Sequence, residues 1–184
     1  MTSFEEQVNK YNDNYASVIH PDVIDIAKKF DQHYSSKKID LIKSTIEAAT
    51  SLIDNSYNIP TMMQINYDIA DAYSDLRSIS QNSDKTYLEK EMYHYRKAID
   101  LYEKSFDDEF SSDDIVANVA RYIAMRAYTN LGNLLHAVGR YIAAIDCFQN
   151  ALIISDNFAM ASLILTSINI CKKTFPLRVQ YDTI

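Results

Sequence analysis

Two glycines and three prolines punctuate a chain of 184 residues, and that scarcity limits the fold more than any other feature. A sandwich or barrel reverses direction at every strand connection and draws on these residues to do so. Here apolar residues recur instead at intervals of three and four. The stretch YTNLGNLLHAVGRYIAAIDCFQNALIISDNFAMA, from Tyr128 to Ala161, places Leu131, Leu134, Leu135 and Val138 at helical spacing, then Ile142, Ile145, Phe148 and Leu152. Between the runs lies Gly139, where a tight reversal needs a positive φ that glycine adopts without a Cβ clash. The stretch reads as an antiparallel helical hairpin, and the chain as all-α.

The same periodicity continues upstream. The segment PDVIDIAKKFDQHY sets Ile26, Ala27 and Phe30 against Ile42, Ile46 and Ala49 of KIDLIKSTIEAATSLIDN, a second hairpin, with a first helix before it in SFEEQVNKYNDNYASVI. His20-Pro21 and Ile59-Pro60 mark helix breaks, because the residue before proline avoids the α region. Two extended helices follow, NYDIADAYSDL and RKAIDLYEKSF, joined by a polar turn near Ser80 to Lys85. The acidic DDEFSSDD then separates them from a long helix beginning near Asp113, with Ser111, Ser112 or Asp113 as its cap. About seven helices are expected.

Apolar residues make up 47% of the chain, enough for a core at this length. The net charge of -7 disfavours nucleic acid or an anionic lipid surface as the main partner, since both call for a basic face. The charge is uneven: residues 1–112 carry -8 and residues 113–184 carry +1. Cys147 and Cys171 are isolated in apolar helical sequence and read as reduced, buried thiols. An acidic start without an apolar signal, and no apolar run of membrane-spanning length, lead to the expectation of a cytoplasmic protein.

The residues of the opening hairpin carry a resemblance. Tyr128, Leu131, Gly132, Leu135, Gly139, Ala144, Phe148 and Ala151 are spaced as in one full tetratricopeptide repeat (TPR) covering Met125 to Phe158. Asp156 stands where the family usually has proline. In such a repeat Gly132 and Ala144 face each other, and Tyr128 and Phe148 fill the space around them. A weaker copy lies upstream, with Ile69, Ala70 and Tyr73 and then Ala98, Tyr102 and Ser105 at the corresponding places. The resemblance implies hairpins stacked as a short right-handed solenoid over residues 1–176.

The order of these segments is also similar to bacterial TPR segments that precede a HEPN ribonuclease-type domain. The catalytic motif of that domain is an Arg followed a few residues later by His, and no Arg here has a His four to six positions on. The resemblance thus implies the repeats without the nuclease.

The four histidines are scattered over different helices, no Gly-rich phosphate loop or Gly-x-Ser-x-Gly elbow occurs, and adjacent acids such as Asp107-Asp108 fit a solvated turn. No catalytic residue, metal site or cofactor is expected. Most of the 14 tyrosines fall at packing positions.

Function in this architecture sits on the concave face formed by one helix of each pair. The resemblance implies a groove of Gln64, Tyr67, Asp71 and Ser74 from the earlier copy and Arg126, Thr129, Asn133 and His136 from the later one, bordered by Asn130. Arg126, Asn130 and Asn133 partly match the set with which some TPR modules hold a partner's terminal carboxylate; Asp71 and the missing Lys depart from it. A groove for a mixed polar and apolar peptide follows. The leading expectation is a non-catalytic protein- or peptide-binding module acting as an interaction or regulatory subunit. The alternatives are an antitoxin-like or regulatory partner of a separately encoded HEPN-type nuclease, and an RNA-associated ribonuclease, which the charge and the absent motif oppose.

The last helix, NFAMASLILTSINIC, has no charge and is expected to cap the stack through Phe158, Ala161, Leu165 and Ile168. Leu163 and Ile170 remain on another face as an apolar contact for a partner, a second copy or the chain's own tail. Pro176 is expected to end the helix, leaving 177–184 as an extended tail in which Leu177, Val179 and Tyr181 alternate with polar residues. That tail is either disordered or packed in an apolar groove, its own or that of a second copy, and in the latter case the protein is a homodimer.

Overall fold

The computed structural model describes residues 13–80, 85–105, 115–155 and 158–179, and within the last segment the side chains of 160–174. Among them every regular element is helical. After a first helix α1, described over 13–18, come α2 (Pro21–Ser36), α3 (Ile39–Leu52), α4 (Ile59–Ile79), α5 (Lys85–Ser105), α6 (Ile115–Ala137), α7 (Tyr141–Ile154) and α8 (Phe158–Val179). The all-α architecture of helical hairpins is as the periodicity predicts. The expected caps at Ser111 to Asp113 lie outside the described residues.

The chain divides into two compact units, Met1–Ile123 and Ala124–Ile184, where one helical domain is expected from the sequence. The boundary falls inside α6 and not at a linker, because no Gly or Pro lies between Pro60 and Gly132 to mark one.

In the first unit α4 is the central helix, packed by α2, α3 and α5. Its apolar side chains are buried on several sides, Met63, Ile65, Ile69, Ala72 and Leu76 among them. α4 and α5 run antiparallel: Arg77, late in α4, meets Glu91, early in α5, while Asn66 meets His94. Each runs for 21 residues with no glycine inside it and with proline only in the first turn of α4. Val23, Ile26 and Phe30 of α2 and Ile42, Ile46 and Ala49 of α3 are buried, close to the expected facing sets.

The breaks carry their own chemistry. His20 caps α2 by accepting a hydrogen bond from the Asp22 N–H, and Asn58 caps α4 by accepting one from Thr61 at 2.9 Å. The Asn58 amide also donates to the Val18 carbonyl at 2.8 Å, which ties the end of α1 to the start of α4. Pro21 and Pro60 sit in first turns, where a missing N–H costs nothing. α2 ends on Lys37 at φ 52°, a left-handed residue with a Cβ.

In the second unit Gly139 takes φ 81°, as the reversal requires, and the N–H of Arg140 reaches back to the Leu135 carbonyl at 2.8 Å. α8 packs on α7. It runs through Pro176 to Val179, so Leu177, Arg178 and Val179 are helical and not the start of an extended tail. Pro176 lies three residues from the end of this 22-residue helix, so the N–H it cannot supply is missing only from the last turn. The remainder of the expected tail, with Tyr181, lies outside the described residues.

Candidate functional site

The hairpin of α6 and α7 is built around one close approach. A Cβ placed on Gly132 would lie 2.7 Å from Cε1 of Phe148, so glycine admits the phenyl ring against the backbone of α6. The three atoms nearest to that position all belong to the Phe148 ring, and Ala144, Ala151, Leu131, Leu134 and Leu135 are buried as well. A small residue on α6 thus makes room for a large one on α7.

The turns of α6 that keep polar side chains share a stripe. Arg126, Thr129, Asn130, Asn133 and His136 recur at three- and four-residue spacing, Asn133 exposed and the others partly so. The Thr129 hydroxyl donates to its own helix at the Met125 carbonyl. The His136 ring meets Tyr141 edge-on at 5.3 Å, and its Nε2 is buried with no hydrogen-bond partner among the described residues.

The upstream positions behave differently. Gln64 is 4% exposed and Tyr67 only 2%, so these two are interior residues and offer no groove surface. Gln64 donates to Asp68 at 2.6 Å, and the Tyr67 ring lies 5.8 Å from that of Tyr95. Asp71 accepts a short hydrogen bond from the Tyr95 hydroxyl, and Ser74 is partly exposed. For Tyr67 the correction has a packing cause: α5 lays the Tyr95 ring against it and the Tyr95 hydroxyl on Asp71.

Around that stripe on α4 several charged and titratable groups converge. Asp75 is pushed up to about 6, first by burial and then by the charges of Asp71, Asp31 and Glu91, which reach it from α4, α2 and α5. Glu91 is buried and held by Arg77, Nε to Oε2 at 2.7 Å and Nη2 to Oε1 at 3.3 Å. Burial, followed by Asp71, raises Tyr95 and keeps its hydroxyl a donor. His94 is lowered to about 4 by burial and then by Lys90. With the Asn66 amide donating to the Met62 carbonyl, its Oδ1 faces His94 Nδ1 at 3.0 Å, so Nδ1 carries the proton. None of Asp75, Arg77, Glu91 or His94 stands out in the sequence. The available signal is a charged residue on the apolar stripe of a helix, as Glu91 is, four residues before Tyr95.

An open cleft of about 660 Å³ lies between α3 and α5 over α4, with Ile46, Tyr73 and Leu76 at its floor and Lys43, Glu47, Asp54 and Lys90 around it. Tyr73 stacks on Tyr87 at 6.1 Å and holds the Lys90 ammonium 5.2 Å from its centroid. Its opposed charges balance, and both Thr50 and Ser51 donate to carbonyls of their own helix. Among the described residues no group of three His, Cys, Asp or Glu is placed to hold a metal ion. Cys171 is buried and its thiol is pushed up by that burial; Cys147 is partly exposed, and both are free.

On α8 the buried stripe is Ile164, Ile168 and Cys171; Ile168 belongs to the expected set, while Ile164 is buried where the sequence points to Leu165, which is 47% exposed. Leu163 at 63% and Ile170 at 49% stand on the outer side. The described surface of α7 adds Ile142 and Ile153.

Residues 126–158 match the tetratricopeptide repeat family model, so the chain carries a tetratricopeptide repeat at α6 and α7. The matched residues stop at the repeat and do not extend the likeness to segments preceding HEPN domains. No curated protein and no solved structure matches the chain. Among the described residues no helix is long and apolar enough to cross a membrane.

Proposed function

We propose that the protein is a non-catalytic interaction module that binds a protein or peptide through the polar stripe of α6, acting as a regulatory or scaffolding subunit. The observation that carries this reading is the repeat at 126–158, a unit that typically mediates protein-protein contact and is typically non-catalytic. Its small and aromatic residues are consumed inside the hairpin, with Gly132, Phe148, Ala144 and Ala151 buried. Arg126, Asn130, Asn133 and His136 are left partly open at successive turns. Such a row suits an extended peptide that presents both backbone and side-chain groups to hydrogen-bond.

The proposed surface is confined to α6, because Gln64 and Tyr67 of α4 are interior residues. The test is selection of binding peptides from a displayed library against the purified chain, then titration of the winners against the variant Arg126→Ala, Asn133→Ala, His136→Ala. Affinity should fall at least tenfold while the melting curve stays close to the parent's. Unchanged affinity in the folded triple variant rejects the stripe as the binding surface.

A further inference from the structure

We infer that the outer face of α8 pairs with the same face of a second copy, antiparallel about a two-fold axis, and makes the protein a homodimer. On this face Leu163, Thr166, Ser167, Ile170 and Thr174 recur at helical spacing over three turns. Leu163 and Ile170 are exposed apolar side chains. Their arrangement is self-complementary: an axis between Thr166 and Ser167 lays Leu163 of each copy on Ile170 of the other and Thr166 on Ser167, as an isologous contact requires.

Two observations favour a second copy as the occupant. The first is charge. A two-fold axis brings like residues together at its centre, so in a chain of net charge -7 with -8 before residue 113 a face without charge meets the least repulsion there. From Phe158 to Cys171 α8 has none, and Lys173 in this register lies opposite Met160, away from its own counterpart.

The second is polar satisfaction. Thr166, Ser167 and Thr174 donate to the carbonyls of Ser162, Leu163 and Ile170 in their own helix, at 3.0, 3.2 and 2.8 Å. These hydroxyls need no outside acceptor, and a second copy can exclude water from them without stranding a donor. Their small side chains let the two helices approach, while the larger Leu163 and Ile170 interdigitate at either end.

The experiment is sedimentation equilibrium on the full chain at micromolar concentration, with variants at the two exposed positions, where substitution leaves the core alone. The parent should have the mass of a dimer. Leu163→Glu and Ile170→Lys should each be monomeric with an unchanged helical melting curve. An equimolar mixture of the two should regain the dimer, since the carboxylate at 163 of one chain meets the ammonium at 170 of the other and the second contact keeps its wild-type pair. A monomeric parent overturns the inference, as does a dimer that persists in both single variants or a mixture that stays monomeric. Deleting Gln180 to Ile184 identifies the occupant in the monomeric case: gain of apolar dye binding on deletion assigns the face to the chain's own end.

Discussion

Gly132 is the residue whose replacement reads out the repeat most directly. Alanine is the better helix former by about 1 kcal/mol. Its Cβ, however, would meet the buried ring of Phe148 at 2.7 Å. Overpacking of that kind costs roughly 1 to 3 kcal/mol. Gly132→Ala should therefore lower stability in urea titration by about 1 kcal/mol net, and in a Phe148→Leu background the same change should cost less or stabilise. Equal losses in both backgrounds would mean that the ring is not what the methyl meets. Lys37 offers the opposite sign. It holds φ 52° at the end of α2, where a Cβ costs roughly 1 kcal/mol that glycine avoids. Lys37→Gly should raise the melting temperature by several degrees, a change easily seen by circular dichroism.

At the scale of helices, negative charge converges on Asp75, where Asp71 of α4, Asp31 of α2 and Glu91 of α5 all act on its carboxyl. Arg77 answers Glu91. Asp75 holds its proton more tightly folded than unfolded, with a value of about 6 against 3.8. Its contribution is present below the unfolded value and is lost as pH rises through about 6. His94, lowered to about 4, works the other way and weakens the fold as pH falls from 6.5. Comparison of Asp75→Asn with the parent cancels the histidine. The variant should be more stable above pH 6 by about 1 kcal/mol, a figure reduced for the half-exposed carboxyl, and indistinguishable near pH 4. A gain that is flat across that range would assign the effect to packing and not to ionisation.

For the whole molecule, each unit buries apolar residues of its own: Val23, Ile42, Ile69 and Leu76 in the first, and Leu131, Phe148, Ile164 and Ile168 in the second. Phe148→Ala removes a ring at the centre of the second and should cost roughly 3 to 5 kcal/mol. Hydrogen exchange should then show lost protection along α7 and α8 while α3 and α4 keep theirs. Uniform loss through both units would make the chain one cooperative body.

Periodicity and punctuation were sufficient to place the helices, the hairpin at Gly139 and the repeat itself, because helix formation is a local matter of 3.6-residue spacing, caps and φ restrictions. The facing sets of α2 and α3 were legible for the same reason, since each helix has one apolar stripe among charges. On α8 that logic gives no unique answer: apolar and hydroxyl residues surround the helix, so the sequence points to Leu165 where packing on α7 buries Ile164. The stripe of α4 fails differently. Gln64 and Tyr67 look like surface by register but are interior in the fold, where α5 brings Tyr95 against Tyr67 and Glu91 to Arg77 and Asp75. Which residues share a face is written in one helix's spacing; what covers that face, and which charges lose water there, depends on segments twenty and more residues away that only tertiary packing brings together.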